Sequence, residues 1–417
     1  MRAKSIVIIV IVSCAVVVAF CASVVWFVYS VFTGALIGYQ PPPTPAQLKE
    51  PRIVIGKDFL SRSEFLKTTF LENVKGVGSI SDVAVGEFDP HPGLDVVVAG
   101  SSGALVFDRD GVQQSRTVFQ FRTSDVKLGP FNTPRVEMML GDVKIVDLEA
   151  DGVCEYLARG GLDGGAVFDH QGKMVWTYGK YTEEKTAIDD LTVGDLDGDG
   201  IAEFVVSWNG IEVFDKSGKR RSQLPEKYSG SPIEVVDTNG DGKNEIVSAG
   251  GELTIRNSTG RVIKSVGLPV YVGQFSLSKM PGRKVPVMLA VEDSSLWLID
   301  FEGKTVAQFN APLSKFDDTV HRIDGEEFHG TSVYKSQGVW IKLARDRPEY
   351  LAVVHEFAGL DRSVFDIFTP AGELVYQEVL PEGCRSIAVL PPADPAAAPE
   401  LLVAGQRTVW RYRVGVR

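Results

Sequence analysis

Asp195, Asp197, Asp199 and Glu203 stand at positions 1, 3, 5 and 9 of one short loop, Asp195-Leu196-Asp197-Gly198-Asp199-Gly200-Ile201-Ala202-Glu203. Carboxylates at that spacing can turn their oxygens onto a single hard cation. Calcium accepts about six to eight oxygens from carboxylates, backbone carbonyls and water. Gly198 and Gly200 supply the positive-φ freedom that so tight a wrap demands. With no cation, four like charges would crowd within a few ångströms, which makes poor sense of an empty turn.

The pattern recurs. Asp237-Thr238-Asn239-Gly240-Asp241-Gly242-Lys243-Asn244-Glu245 repeats it with Asn239 at position 3, and Asp147-Leu148-Glu149-Ala150-Asp151-Gly152-Val153-Cys154-Glu155 with Glu149 there. A fourth stretch, Glu87-Phe88-Asp89-Pro90-His91-Pro92-Gly93-Leu94-Asp95, keeps the frame but has His91 at position 5, so weak binding or none is expected. An EF-hand shares ligand positions 1, 3 and 5, but it needs an acidic residue at position 12 and a helix on each side. Position 12 here is Val206, Ser248 or Ala158, and the following residues, such as Phe204-Val205-Val206-Ser207-Trp208, read as strand. The EF-hand reading fails.

The elements that must position these loops form a longer repeat. A β-rich run such as Leu191-Thr192-Val193-Gly194 or Ile233-Glu234-Val235-Val236 enters each loop, and a second strand leaves it. Tight turns (Asn209-Gly210, Gly250-Gly251, Asp163-Gly164-Gly165) lead to third strands such as Ile211–Asp215 and Ala166–Asp169. Glycine turns, Lys216-Ser217-Gly218 or His170-Gln171-Gly172, then lead to a fourth, such as Lys173–Tyr178. Short strands at this spacing, in units of roughly 40–50 residues, predict the four-stranded blades of a propeller.

These residues resemble the FG-GAP (or VCBS) repeat family, whose best-known members form the seven-bladed head of integrin α-subunits. The resemblance covers most of residues 64–413. It implies an all-β, seven-bladed propeller of four-stranded antiparallel blades, with calcium in the loops. It also implies that Asp195, Asp197, Asp199 and Glu203 are side-chain ligands and that Ile201 gives its carbonyl. The same frame assigns Asp237, Asn239, Asp241, Lys243 and Glu245 in the second loop, and Asp147, Glu149, Asp151, Val153 and Glu155 in the third. The Phe-Gly and Gly-Ala-Pro signatures of the family are poorly kept, which favours a bacterial-type relative.

Seven first strands can be counted: Asp82–Gly86, Asp142–Val146, Leu191–Gly194, Ile233–Val236, Val270–Phe275, Val339–Leu343 and Arg385–Leu390. The fifth and seventh lack the acidic loop, having Ser276-Leu277-Ser278-Lys279 and Pro391-Pro392-Ala393-Asp394 there. The sixth, Ala344-Arg345-Asp346-Arg347-Pro348, is basic enough to repel a cation. The last unit stops after its third strand, Arg407–Arg413, and Phe65–Leu71 is the segment expected to supply the missing fourth. Such closure removes the exposed edge of an open array. The competing reading makes Ser61-Arg62-Ser63-Glu64 a helix capping box.

Upstream, no charged residue occurs from Ser5 to Ile37. About 20 apolar residues cross a bilayer, and a secretory signal has an apolar core of only about 7–15. The run therefore reads as one uncleaved transmembrane helix. Ile11-Val12-Ser13-Cys14 only loosely matches a lipoprotein cleavage site, and cleavage there would leave another apolar span, Ala15–Phe32. Arg2 and Lys4 precede the run and no positive charge follows until Lys49. That asymmetry puts the N-terminus in the cytoplasm and the propeller in the periplasm or outside the cell. Pro41-Pro42-Pro43-Thr44-Pro45 reads as a semi-rigid stalk. The expected organisation is a cytoplasmic tip and signal anchor at 1–38, a stalk at 39–63 and the propeller at 64–417.

The 42 glycines and 22 prolines suit the many turns, and a net charge of −11 without a basic patch disfavours nucleic acid. Cys154 and Cys384 lie in different blades, and nothing in the sequence pairs them. The five histidines show no zinc-ligand spacing, and no nucleophile elbow or phosphate-cradling loop is present. His321 and His329 flank an acidic stretch, Asp324-Gly325-Glu326-Glu327, that reads as a solvated loop. Gly172-Lys173-Met174-Val175-Trp176 is similar to quinoprotein strand ends, although a tryptophan packed between blades explains it equally well.

In a four-stranded antiparallel blade the first-to-second connections share one face of the ring and the blade-to-blade connections the other. The long connections Arg116–Gly141, Gly179–Asp190 and Asn310–Gly338 therefore lie opposite the calcium loops. The first carries Phe119, Phe121, Arg122, Phe131 and Arg135, an interface-like mixture. The expected function is a membrane-anchored, extracytoplasmic, calcium-binding adhesion module with a protein or glycan ligand on that face. The alternatives are an extracytoplasmic propeller enzyme (polysaccharide lyase, hydrolase or quinoprotein-like) and a structural subunit of an envelope complex.

Overall fold

The second strand of each unit is an unbroken apolar run because it is covered on both faces. In this computed structural model Asp95–Gly100, Glu203–Ser207 and Glu245–Ala249 are buried from end to end. The fourth strands of blades one and three are the reverse, Gln113–Val118 and Arg220–Leu224 being largely exposed, whereas that of blade six, Leu374–Leu380, is mostly buried. The middle of a blade is thus its most apolar part, with partly exposed first strands such as Ile233–Val236 on its inner side.

The structure describes residues 65–88, 94–120, 142–149, 151–160, 164–178, 190–207, 210–224, 232–292, 295–310, 320–323, 326–329, 333–343, 347–357, 362–394 and 396–414. All lie in one unit, Glu50–Arg417. Strand β1 (Phe65–Leu71) comes first. Blade one is β2–β5 (Ile80–Gly86, Asp95–Gly100, Gly103–Asp108, Gln113–Val118), and blade two is β6–β9 (Asp142–Val146, Glu155–Gly160, Gly164–Phe168, Met174–Tyr178). Blade three is β10–β13 (Asp190–Gly194, Glu203–Ser207, Ile211–Phe214, Arg220–Leu224). Blade four is β14–β17 (Ile233–Val236, Glu245–Ala249, Glu252–Arg256, Val262–Gly267). Blade five is β18–β21 (Phe275–Ser278, Val287–Glu292, Ser295–Ile299, Thr305–Asn310). A hairpin, β22–β23 (Val320–Ile323, Glu326–His329), precedes blade six, β24–β27 (Val333–Ile341, Tyr350–Phe357, Ser363–Phe368, Leu374–Leu380). Blade seven is β28–β30 (Ser386–Leu390, Glu400–Ala404, Val409–Val414) with β1 as its outer strand. The protein is an all-β propeller of seven four-stranded antiparallel blades.

The N-terminal strand closes the ring as the sequence predicts. β1 pairs antiparallel with β30, from Phe65 opposite Val414 to Leu71 opposite Val409. Phe65 is buried and stacks on Tyr412 with ring centroids 5.4 Å apart, while Tyr376 of blade six meets it edge-on at 4.7 Å. Lys67 Nζ lies 2.8 Å from Glu378 Oε1. The Tyr376 and Tyr412 hydroxyls both donate to Glu378 Oε2 at 2.9 Å. Apolar burial and a satisfied, partly buried ion pair thus join blade six to blade seven across the chain ends.

A second device spaces the blades. Six third-to-fourth turns begin at Asp108, Asp169, Asp215, Asn257, Asp300 and Thr369, whose carbonyls accept the N–H of the glycine three residues on. The Asp215 carboxylate also accepts from Ser217 N and Lys219 N, at 2.9 and 3.0 Å. The glycines have φ between 74° and 88°, and each faces the outer strand of the preceding blade. A Cβ on Gly218 would stand 2.5 Å from Trp176, and one on Gly260 would stand 2.2 Å from Leu224.

Two strand expectations need correction. The first strand of blade five is Phe275–Ser278, not Val270–Phe275, so the supposed loop Ser276–Lys279 is mostly strand. Val270 and Val272 look strand-like, but Leu268 N and Val272 N bond to Gly251 O and Gly250 O, drawing the segment onto the turn of blade four. The first strand of blade six begins at Val333 rather than Val339. Residues 344–346 of its basic loop, the apolar run Ser5–Ile37, the proline-rich stalk and Ser61–Glu64 lie outside the described residues. Among those described, no helix is long and apolar enough to cross a membrane.

Candidate metal sites

Each acidic loop connects the first and second strands of its blade, and one hydrogen-bond scheme shapes all three. The position 9 carboxylate accepts the N–H of position 2: Glu203 from Leu196, Glu245 from Thr238 and Glu155 from Leu148, each at 2.9 Å. The position 1 carboxylate accepts from the loop it opens. Asp195 takes Gly198 N at 2.6 Å and Gly200 N at 2.8 Å. Asp237 takes Gly240 N and Gly242 N at the same two distances. Asp147 takes Asp151 N at 3.2 Å and Gly152 N at 3.1 Å. The position 5 carboxylates of Asp199, Asp241 and Asp151 accept the N–H groups of Ile201, Lys243 and Val153, all at 2.8 Å. Gly198 and Gly200 have φ of 82° and 84°, and a Cβ on either would meet nothing within 4 Å. Backbone conformation, not space, requires glycine there.

In blade three, one oxygen each from Asp195, Asp197 and Glu203 lie within 4.8 Å of one another. A carboxylate has about four acceptor sites, so the two N–H bonds to Asp195 leave lone pairs for a cation. The donors are all hard oxygens, so the residues present fit calcium. Arg221 Nη1 sits at this cluster, 2.6 Å from Asp197 Oδ2 and 2.9 Å from Glu203 Oε1. In blade four, Asn239 Nδ2 bonds Asp241 Oδ2 at 3.2 Å, so positions 3 and 5 also meet. In blade two, Glu149 and Asp151 are exposed.

The electrostatics of the loops follow from burial and crowding. Burial, then the charges of Asp151, Asp147 and Glu149, push the Glu155 carboxyl up to about 7 despite the Leu148 N–H. Burial likewise raises Glu203, with the Leu196 N–H and Arg221 opposing it. Burial also works against the Asp237 carboxylate, but four backbone N–H groups outweigh it and hold that group below its usual range.

The loops are linked to one another. Ala202 N in blade three donates to Leu148 O in blade two at 2.9 Å, and Asn244 Nδ2 in blade four donates to Asp195 O in blade three at 2.9 Å. They therefore form a continuous row at one end of the ring. In the fourth frame Asp95 Oδ2 still accepts Phe88 N at 2.9 Å. Residues 89–93, including His91, lie outside the described residues.

Other residues singled out by sequence fall elsewhere. Phe119 is buried and stacks on Phe168 at 4.5 Å, so it belongs to the packing between blades one and two rather than to a ligand surface. Phe121, Arg122, Phe131 and Arg135 lie outside the described residues. Trp176 stacks on Phe204 of the next blade at 4.5 Å, which accounts for its strand-end motif by packing. His321 and His329 lie on the β22–β23 hairpin, where His321 opposes Phe328 and His329 opposes Val320. Cys154 and Cys384 are free and buried.

Sequence reading missed two polar groupings. Ser336, His355 and Asp366 form a buried row across blade six: Ser336 Oγ is 2.7 Å from His355 Nδ1, and His355 Nε2 is 3.3 Å from Asp366 Oδ2. Gln377 continues it, donating to Asp366 Oδ1 at 2.8 Å. In a serine-hydrolase triad the serine meets Nε2 instead. All three side chains of the row are shut inside the blade. A charged residue inside an apolar strand, as in Val364-Phe365-Asp366-Ile367-Phe368, is the signal that points to it. The second grouping lines a cavity of about 210 Å³ bounded by first strands of six blades, with Asp82, Lys144, Asp190 and Glu234 in its wall. Asp82 accepts Ile145 N at 3.0 Å and Asp190 accepts Ile233 N at 2.9 Å, so these carboxylates tie the inner strand of blade one to that of blade two and that of blade three to that of blade four.

Solved propellers share this architecture. BBS1N, in its complex with ARL6DN, is 13% identical at a TM-score of 0.51, covering 85% of this chain and 98% of that one. Raptor of Chaetomium thermophilum is 12% identical at a TM-score of 0.50, covering 90% of this chain and 30% of that one. At such identities the likeness is one of fold, which does not assign an activity. No protein-family model matches the sequence, and no curated protein matches it.

Proposed function

We propose that the chain is a calcium-stabilised propeller of the FG-GAP/VCBS kind that serves as a binding module. The observation that carries the metal reading is the convergence of Asp195, Asp197 and Glu203 oxygens within 4.8 Å. It stands in a hydrogen-bond scheme repeated in the Asp147–Glu155 and Asp237–Glu245 loops. Calcium in these loops neutralises like charges at the contacts between blades and so rigidifies one end of the ring. The uncharged run Ser5–Ile37 holds the ring to a membrane, with the propeller outside the cytoplasm. The ligand is a protein or a glycan, bound at the end opposite the acidic loops, on the three long connections Arg116–Gly141, Gly179–Asp190 and Asn310–Gly338. A propeller of this architecture in complex with a partner, BBS1N with ARL6DN, favours a protein. Calorimetric titration of the full-length, detergent-solubilised chain with calcium tests the metal reading. Saturable binding that loses one site with Asp237→Ala is expected, and absence of binding overturns the reading.

A further inference from the structure

We propose that Arg221 is a tethered competitor for the cation of the blade-three loop, raising the calcium concentration at which that loop fills. The inference rests on the calcium reading above. β13 carries Arg221 at an irregularity in its pairing with β12: Val213 opposes Ser222 and Phe214 opposes Arg220, so Arg221 has no ladder partner. A bulge of this kind re-aims a side chain, and this one is aimed at the acidic loop of its own blade. Its Nη1 stands 2.6 Å from Asp197 Oδ2 and 2.9 Å from Glu203 Oε1, at positions 3 and 9 of the loop. Asp195 offers an oxygen within 4.8 Å of both carboxylates. One guanidinium nitrogen therefore bonds two of the three carboxylates that converge for an ion. A divalent cation entering there must displace it, because the two would compete for the same oxygens and repel each other.

The neighbouring blades supply the internal control. The same irregularity skips Val175 in blade two, between Met174 and Trp176, and Ile263 in blade four, between Val262 and Lys264. Both are apolar and half-exposed, and neither can donate to a carboxylate. Among the described residues no cation pairs with Asp237, Asp241 or Glu245. The same fourth-strand position is thus skipped in all three blades that carry an acidic loop, and only blade three makes it basic.

Calcium titration of the full-length, detergent-solubilised protein tests this in a background carrying Asp147→Asn and Asp237→Asn, which silences the loops of blades two and four. Arg221→Gln is expected to tighten the remaining site by about three- to fivefold, the range of a half-exposed ion pair. It is also expected to lower the melting temperature in chelator but not at saturating calcium, because only the metal-free loop needs the arginine. Conversely, Ile263→Arg in an otherwise native chain should weaken the blade-four site. Unchanged or weaker binding in Arg221→Gln, while its parent binds calcium, overturns the inference and leaves the calcium reading standing. An equal loss of stability with and without calcium also overturns it, making Arg221 a structural brace. If the wild-type chain binds no calcium, the calcium reading itself falls and takes the competitor with it.

Discussion

Carboxylates that look equivalent in the sequence hold different positions in the loops. Those at positions 1 and 9 accept backbone N–H groups of their own loop and shape it before any metal arrives. Glu149, at position 3 of its loop, is exposed to solvent. Asp237→Ala should therefore destabilise the chelated protein by about 1 kcal/mol, the usual worth of such a backbone-capping carboxylate. Glu149→Ala should leave the chelated protein unchanged and reduce only the gain on adding calcium. Thermal melts of both variants with and without chelator check this, and the opposite ranking contradicts it. The Glu155 carboxyl adds a pH dependence. Its pKa rises from 4.5 to about 7 in the metal-free fold, so the folded state favours the protonated form. The associated stability is fully present below pH 4.5 and is lost as pH rises through about 7. Chelated wild-type protein should lose more stability across that range than Glu155→Gln, whose side chain stays neutral. Parallel pH–stability profiles would sink the assignment. The shared hydrogen-bond frame of these loops was legible in their spacing, but in blade three Asp195, Asp197 and Glu203 converge without Asp199. Arg221 was not legible, because its approach depends on a bulge on a strand 18 residues beyond Glu203.

At the scale of elements, strand type and order were legible and some boundaries were not. The blades could be counted because short β-rich runs recur between turn signals, and in blades one and three buried second strands and exposed fourth strands leave opposite compositional marks. Val270 and Val272 misled because a connection can carry the same β-branched residues as a strand, and only its bonds to Gly250 and Gly251 tell the two apart. Phe119 misled for a related reason: an aromatic residue in a connection suits an interface or a seam between blades equally well. The third-to-fourth turns separate two roles of glycine. Gly198 and Gly218 both have positive φ, but only Gly218 abuts Trp176. Gly198→Ala should cost about 1–2 kcal/mol, the backbone strain alone. Gly218→Ala should cost more, since Trp176 must also shift from its stack on Phe204. Denaturant unfolding of the two variants decides this, and equal losses would mean the turn does not set blade spacing.

At the scale of the molecule, ring closure was foreseen because seven first strands and a unit lacking its fourth strand leave Phe65–Leu71 as the piece that fits. Deleting residues through Leu71 should destabilise the ring or make it associate, because it exposes the β30 edge and strips Glu378 of Lys67. Deleting only through Pro45 should leave a folded propeller, and equal unfolding curves for the two truncations would contradict closure. The central cavity was illegible because it joins first strands of six blades that only the finished ring brings together, whereas the Ser336–His355–Asp366 row lies within blade six and left one mark, a charged Asp366 inside an apolar strand. The central claim is that the acidic loops, joined from blade to blade, are working calcium sites that stabilise the ring. The most direct measurement is the melting temperature of the full-length, detergent-solubilised chain in calcium and in chelator. A cation that binds only the folded state stabilises it by about 2.7 kcal/mol per site at a hundred times its dissociation constant, so calcium should raise the melting temperature by several degrees. The gain should shrink in Asp199→Ala. Superimposable curves in calcium and chelator would contradict the claim.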